Sequence, residues 1–284
     1  MQKLKVTKKY NNKNLDKFIL DSFPNLNKNV LYKAIRQKDI KINGKRVREN
    51  SIIYENDNIE LFIADKFLYK NIILTVVYED NNILIINKPA GISVTEESRN
   101  NSITLEKMVK EQYGNNVNPC HRLDRNTSGL VIFSKNDETF KILLNKFRNH
   151  EIEKHYKAKV YGILKEKHKI LKAYLFKDSK KNIVYISNFK KTGYQEIITE
   201  YTVLKEEENI SYLDIILHTG KTHQIRAHLA YIGHPIIGDG KYGSNEINKK
   251  FNETTQNLIE YKLIFKFNSD SGILNYLNNF KIEI

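Results

Sequence analysis

The sequence has 284 residues, 40% of them hydrophobic and 28% charged, at a mean hydropathy of −0.55; this excludes general disorder and allows one large domain or two ordinary ones. A single cysteine, Cys120, excludes a disulfide framework and a multi-thiolate zinc site within one chain, and no run of about 18 apolar residues predicts a transmembrane helix. Lys plus Arg number 47 against 33 Asp plus Glu, a net charge of +14, which suits a polyanionic partner or, on charge alone, an anionic membrane surface.

Met1 to Tyr10 is polar and basic without the apolar stretch of a secretory signal, so a reducing cytoplasm is the expected location. Asparagine is spread along the chain and interrupted by hydrophobic residues, which is compositional bias and not a low-complexity tract. The charge is uneven: residues 1–70 carry 16 Lys/Arg and 8 Asp/Glu, the remainder 31 and 25. A small basic module ahead of a larger, nearly balanced domain is therefore expected.

In the front module Asn14 is placed to cap a helix carrying Leu15, Phe18, Ile19 and Phe23 at helical spacing, ended by Pro24. A second helix sets Val30, Leu31, Ala34 and Ile35 on one face, with Lys33, Arg36 and Lys38 on its polar side. Ile40 to Val47 alternates as a strand broken by Asn43-Gly44, a hairpin-turn signal, and Ile59, Leu61 and Ile63 mark another strand. Arg36, Lys38, Lys45, Arg46 and Arg48 could form a solvated basic face; their clustering at a helix end and a tight turn favours a phosphate-binding surface. Residues 13–62, and above all Leu31 to Lys45, resemble the S-four RNA-binding module. That resemblance implies binding of structured RNA, with the cations meeting backbone phosphates.

Residues 63–75 read as a linker. Strand-like runs follow at Val76–Tyr78, Ile83–Ile86, Leu130–Phe133, Tyr156–Tyr161 and Leu213–Leu217, with helical patterns at 102–113, 137–149 and 222–232. Strands and helices do not alternate steadily. The expectation is an α+β fold with a mixed, largely antiparallel sheet, not a doubly wound one, in a domain over 76–284. There is no internal repeat.

Four polar, glycine-bearing segments lie beside these runs: Asn87–Gly91, His121–Gly129, Lys154–Ala158 and Thr219–Leu229. Gly220-Lys221-Thr222 lacks the upstream glycine of a phosphate-binding P-loop. His223 and His228, five apart with no acid between them, do not share a helix face as metal ligands would; capping or backbone bonding is the better expectation. Cys120 is expected to be a small buried hydrophobe. Asp124 sits among Arg122, Arg125, Thr127 and Ser128. On composition it could be a turn aspartate bonded to its own loop, or a catalytic carboxylate held ionised by a guanidinium.

His121-Arg122-Leu123-Asp124 with Thr127-Ser128-Gly129-Leu130 resembles the catalytic signature of the RluA family of pseudouridine synthases. Asn87–Gly91, Lys154-His155-Tyr156, and Thr219–Ala230 followed by Gly233–Ile236, Gly238-Asp239 and Tyr242-Gly243 resemble that family's other motifs, in its order. Four residues depart from it: Asn126, Lys221, Thr95 and Glu96. The resemblance implies isomerisation of uridine in RNA to pseudouridine, with no cofactor and no metal. It implies Asp124 as the essential carboxylate, attacking the ribose or removing a proton from it. Arg226 is implied as its guanidinium partner and Tyr156 as the ring that stacks on the extruded base and can assist proton movement. Arg122, Arg125, Lys154, Lys221 and His223 are the implied RNA contacts in this domain, joined by Arg36, Lys38, Lys45 and Arg46 in front. Ribosomal RNA of the large subunit is the favoured substrate, a tRNA the alternative, and a non-catalytic ribosome-assembly factor the rival from another class. No membrane partner is implied, and a monomer is expected.

Overall fold

In the computed structural model, which describes residues 2–63, 65–68, 73–96, 104–253 and 255–284, the patterns of the front module close around one core. Strand β1 (Gln2–Lys5) is followed by β2 (Lys13–Asn14), helix α1 (Leu15–Ser22) and helix α2 (Lys28–Arg36). Then come β3 (Ile40–Ile42), β4 (Lys45–Arg46), β5 (Ile52–Ile53) and β6 (Asn58–Leu61). Leu15, Phe18 and Ile19 of α1 and Leu31, Ala34 and Ile35 of α2 are buried against Ile40, Ile59 and Leu61 of the antiparallel sheet β1-β6-β3-β4. Asn43 (φ 50°) and Gly44 (φ 80°) are both left-handed, as the two central residues of a tight β3–β4 hairpin require. Asn14 takes the N-cap position of α1, but its side chain makes no capping bond; Asn50 Oδ1, 34 residues on, accepts from Asp16 N at 2.9 Å instead. The expected linker, 63–75, lies partly outside the described residues (64 and 69–72); its described part includes one helical turn, α3 (Asp65–Leu68).

A second compact unit comprises Leu74–Thr95 and Thr104–Ile284. Its elements begin with β7 (Thr75–Glu79), β8 (Ile83–Lys88), α4 (Leu105–Tyr113), β9 (Asn118–Pro119), β10 (Ser128–Ser134) and α5 (Asp137–Arg148). They continue with β11 (Ile152–Tyr161), β12 (His168–Asp178), β13 (Ile183–Ser187), β14 (Gln195–Glu207) and β15 (Ile210–Leu217). Helices α6 (Gln224–Tyr231) and α7 (Asn245–Lys250) precede β16 (Leu258–Phe265) and β17 (Lys281–Glu283). The first two residues of the expected helix 102–113 lie outside the described residues. One sheet runs β13-β12-β14-β15-β11-β16-β10-β8-β7, with β17 beside β16 and β9 beside β10. Its only parallel pairing among the described residues is β10–β16, so the sheet is mixed and largely antiparallel, as expected.

The continuous apolar runs follow from burial on both faces, because successive strand residues point to opposite sides. Leu84, Ile86, Val131 and Phe133 pack with Leu105 and Val109 of α4 and Ile225 and Leu229 of α6. Ile83, Ile85, Leu130 and Ile132 pack on the other side with Leu143 of α5 and Leu263 and Phe265 of β16. Strands β12, β13, β14 and β16 lie where the sequence analysis marks none. In β12, Lys169, Lys172 and Lys177, and in β14, Glu196, Glu200, Lys205 and Glu207, interrupt the apolar residues.

At the parallel junction Gly129 (φ 120°) stands opposite Glu260, and a Cβ there would lie 2.1 Å from the Glu260 carbonyl oxygen. Gly129→Ala therefore meets the backbone of β16 and should cost about 3 kcal/mol, a cooperative loss in the urea midpoint. Gly240→Ala, whose Cβ meets nothing within 4 Å, should leave that midpoint in place.

Candidate active site

The loops that follow β8 and precede β10 are tied together before any functional group is placed. Lys88 is fully buried, and its ammonium donates to the carbonyls of Pro89 (3.0 Å), Ile92 (2.9 Å) and Arg125 (3.2 Å). Gly91 N donates to Arg125 O at 2.8 Å, and Arg125 Nε returns a bond to Gly91 O at 3.0 Å. Asp124 opens the turn closed by Thr127 N on Asp124 O (3.1 Å), and Thr127 Oγ1 accepts from Gln256 Nε2 at 2.8 Å.

The Asp124 carboxylate faces across to α6. Arg226 Nη1 donates to Asp124 Oδ2 at 2.8 Å, while Arg226 Nε and Nη2 take Asp239 in a two-bond fork at 2.7 and 3.0 Å. Arg226 is 7% exposed and Asp239 1%. Burial works against both charges, yet the pairing wins: Arg226 is pushed above its ordinary value, and Asp239 falls below the carboxylate range with help from the amides of Lys241 and Tyr242. The guanidinium also lies 5.2 Å over the Tyr242 ring.

The turn into α6 is set by Gln224. Its Oε1 accepts from Thr219 Oγ1 (2.9 Å) and Lys221 N (3.0 Å), and its Nε2 donates to Ile198 O (3.1 Å) and Thr199 Oγ1 (3.0 Å). Gly220-Lys221-Thr222 is thus a clamped helix entry. His223 takes the N-cap in a left-handed conformation (φ 53°), with Nδ1 2.8 Å from the Tyr242 hydroxyl and Nε2 4.0 Å from Asp124 Oδ2. Burial pushes its pKa down to about 4 despite the nearby carboxylate. His228 Nδ1 lies 3.0 Å from Thr199 Oγ1, and burial pushes its pKa to about 4. His223 thus stands at the helix cap, one of the two expected roles, with its ring on a side-chain hydroxyl; His228 neither caps nor bonds backbone but bonds a side-chain hydroxyl, a correction to the expectation. Cys120 is buried, and desolvation pushes its thiol up to about 12.

A cavity of about 140 Å³ opens between these groups, lined among others by Asp124, Arg226, Lys154, Tyr156, Lys221 and His223. Arg122 also lines it and, like Lys221, is exposed; Arg125 is exposed on the turn. Tyr156, 5% exposed, donates its hydroxyl to Glu260 Oε2 beneath the cavity. Seven of the residues implied by resemblance thus meet at one cavity. In the front unit, Arg46 Nη1 donates to Lys38 O at 2.6 Å, Lys38 is left-handed (φ 60°), and Arg36 and Lys45 are exposed. Among the described residues, no group of three His, Cys, Asp or Glu is arranged to hold a metal ion, and no helix is long and apolar enough to cross a membrane.

Sequence reasoning gave no role to Lys88, Asp239, Tyr242 or Glu260. Asp239 and Tyr242 stood in a quoted motif. Glu260 had one usable signal, an acid inside the apolar run Leu258 to Phe265.

A family profile described as RNA pseudouridylate synthase matches residues 82–231. Ribosomal large subunit pseudouridine synthase C of Buchnera aphidicola subsp. Baizongia pistaciae is 34% identical over 88% of this chain and 84% of its own length. An uncharacterized RNA pseudouridine synthase of Mycoplasma capricolum subsp. capricolum is 34% identical over 98% and 96%. The solved structure of human RNA pseudouridylate synthase domain containing 1 is similar in fold, at a TM-score of 0.60 and 22% identity over 70% of this chain and 80% of that one.

His121 and His228 are buried neutral, with His121 pushed down to about 3 by burial and by Lys154. Both regain an ordinary value near 6.5 on unfolding, so the unfolded chain takes up protons as pH falls from 6.5 towards 4. The thermal midpoint should therefore drop across that window, and His228→Gln should make the drop shallower.

Proposed function

The chain belongs to the RNA pseudouridylate synthase family, of the RluA type, and from that premise we propose that it isomerises uridines of large-subunit ribosomal RNA with Asp124 as the essential carboxylate. The enzyme is an isomerase acting on RNA. The ribosomal substrate is supported by similarity to several large-subunit pseudouridine synthases of type C.

The observation that carries the role of Asp124 is its bond from Arg226, a guanidinium held in place by a second, fully buried carboxylate. In the reaction the base leaves its nitrogen glycosidic bond, turns, and rejoins the sugar through carbon. Attack on the ribose and proton removal from it both use a carboxylate oxygen, and the Arg226 bond orients Asp124 without closing it off from the cavity. The Tyr156 ring faces the same space and suits a flipped pyrimidine, where a base–aromatic stack contributes roughly 1–3 kcal/mol. Extrusion of a paired base costs a few kcal/mol, and Arg122, Arg125, Lys154, Lys221 and His223 are placed to hold the distorted strand. The front unit, with Arg36, Lys38, Lys45 and Arg46, serves as an S-four-like RNA-binding module on this reading.

Asp124→Asn keeps the shape of the side chain but not its charge. It should abolish tritium release from RNA labelled at uridine carbon five, while affinity, set mainly by phosphate contacts, stays within about threefold of wild type. Retained turnover would remove Asp124 from the mechanism. Release from wild type on tRNA but not on large-subunit ribosomal RNA would replace the proposed substrate.

A further inference from the structure

Beneath the cavity lies a carboxylate that the reaction as described does not use. Glu260 is fully buried on β16, and three features of the sheet converge on it. Gly129 lets the β10 backbone approach closer than any side chain would allow. The β11–β16 pairing slips between His155 and Tyr156: His155 pairs with Lys262 and Tyr156 with Glu260, so Tyr261 is left over. Such a bulge re-aims side chains, and here it turns Glu260 to the same side as Tyr156. The Tyr156 hydroxyl then donates to Glu260 Oε2.

The other carboxylate oxygen faces a histidine whose tautomer can be assigned. Ile132 N donates to His121 Nε2 at 3.1 Å, so Nε2 is the acceptor and the ring proton sits on Nδ1. That Nδ1 is 4.0 Å from Glu260 Oε1, and neither atom has a hydrogen-bond partner among the described residues. Lys154 supplies the nearby positive charge. Burial nevertheless pushes Glu260 up to about 7. A carboxylate so placed costs stability relative to an apolar residue. What it does geometrically is fix one ring.

We propose that Glu260 is a positioning residue for the isomerisation: by accepting the Tyr156 hydroxyl beneath the cavity, it sets the plane of the ring against which the extruded base packs. The proposal rests on the reading that Tyr156 faces that base. The phenol proton is committed to Glu260, and burial together with the Glu260 charge holds the Tyr156 pKa well above its usual value, so Tyr156 acts as a neutral platform.

The test is single-turnover tritium release from carbon-five-labelled RNA of a strain lacking the gene, with RNA affinity measured in parallel. Glu260→Ala should slow release about 10- to 100-fold with affinity unchanged, the range expected for a displaced reacting partner. Glu260→Gln, whose amide oxygen can accept the same hydroxyl, should recover most of the rate. Tyr156→Phe should be as slow as Glu260→Ala, and the double variant no slower than either, because both remove one bond. Wild-type rates in Glu260→Ala or in Tyr156→Phe, or losses that multiply in the double variant, would overturn the proposal. Should Glu260→Ala fail to fold, Tyr156→Phe decides alone. Tyr156→Ala separates the two readings: a wild-type rate there removes Tyr156 from the site altogether, whereas a slow Tyr156→Ala beside a normal Glu260→Ala refutes only the role of Glu260.

Discussion

One guanidinium organises the catalytic unit. Arg226 spends two donors on Asp239 and a third on Asp124, and it does so from a helix position that is almost wholly buried. Only a planar, permanently charged fork can make that arrangement; a lysine offers a point charge that cannot grip one carboxylate with two bonds and reach a second. The pairing is directional. Asp239 is pinned by the amides of Lys241 and Tyr242, Asp239 fixes the guanidinium, and the guanidinium then fixes Asp124. Removing the deep carboxylate would leave a buried cation short of charge, a loss of about 3–5 kcal/mol where buried pairs have been broken. Asp124, more exposed than either partner, is the end of the chain of constraint that faces the cavity.

That constraint works only because the sheet delivers its members from distant parts of the sequence. Asp124 comes from a turn before β10, Tyr156 from β11, Arg226 from α6 and Glu260 from β16. The turn is held by Lys88, whose ammonium replaces the missing amide donors of two adjoining loops with three bonds to carbonyls. Helix α6 is held by Gln224 and by His228 on Thr199. The β10–β16 junction, the one parallel pairing in the described sheet, is where close backbone approach at Gly129 and the slip at Tyr156 bring Glu260 under the ring. The parts of the site that touch the cavity are few. The parts that hold them still, among them Lys88, Thr199, Gln224, His228 and Asp239, are buried polar groups.

How much of this was legible in the sequence follows from range and chemistry. Asp124, Tyr156 and Arg226 were legible because short, glycine-marked segments carry them in a fixed order. Helices α1 and α2 and the Asn43-Gly44 hairpin were legible because local periodicity and turn chemistry decide them. The cap of α1 was not, since Asn50 reaches it from 34 residues away and Asn14 merely occupies the position. Strands β12 and β14 were hidden because charged residues, lysines in β12 and Glu and Lys in β14, interrupt their apolar positions. Glu260 was hidden for a deeper reason: its place in an apolar run is a weak local signal, since Lys262 in the same run is only half-buried, and its partners lie 104 and 139 positions earlier in the chain.

The charge of +14 has to be reconciled with a site whose deepest groups are acids. Asp239 and Glu260 lie beneath the cavity and Asp124 at its wall, while Arg122, Arg125 and Lys221 are exposed around it. Further lysines are exposed at and beyond the outer strands: Lys177 in β12, Lys180 and Lys181 in the turn to β13, and Lys190 and Lys191 after β13. A phosphate is drawn to the rim and repelled from the floor; a uracil ring is neutral and meets no such barrier. On the proposed reading, the exposed cations would meet the backbone at the rim while the neutral base enters the cavity. Raising the salt concentration screens the exposed rim over about a Debye length, roughly 8 Å at physiological ionic strength, but hardly touches buried pairs. Affinity should thus respond to salt far more than the chemical step does, because the cations that gather the RNA and the guanidinium that holds Asp124 sit on opposite sides of the water boundary.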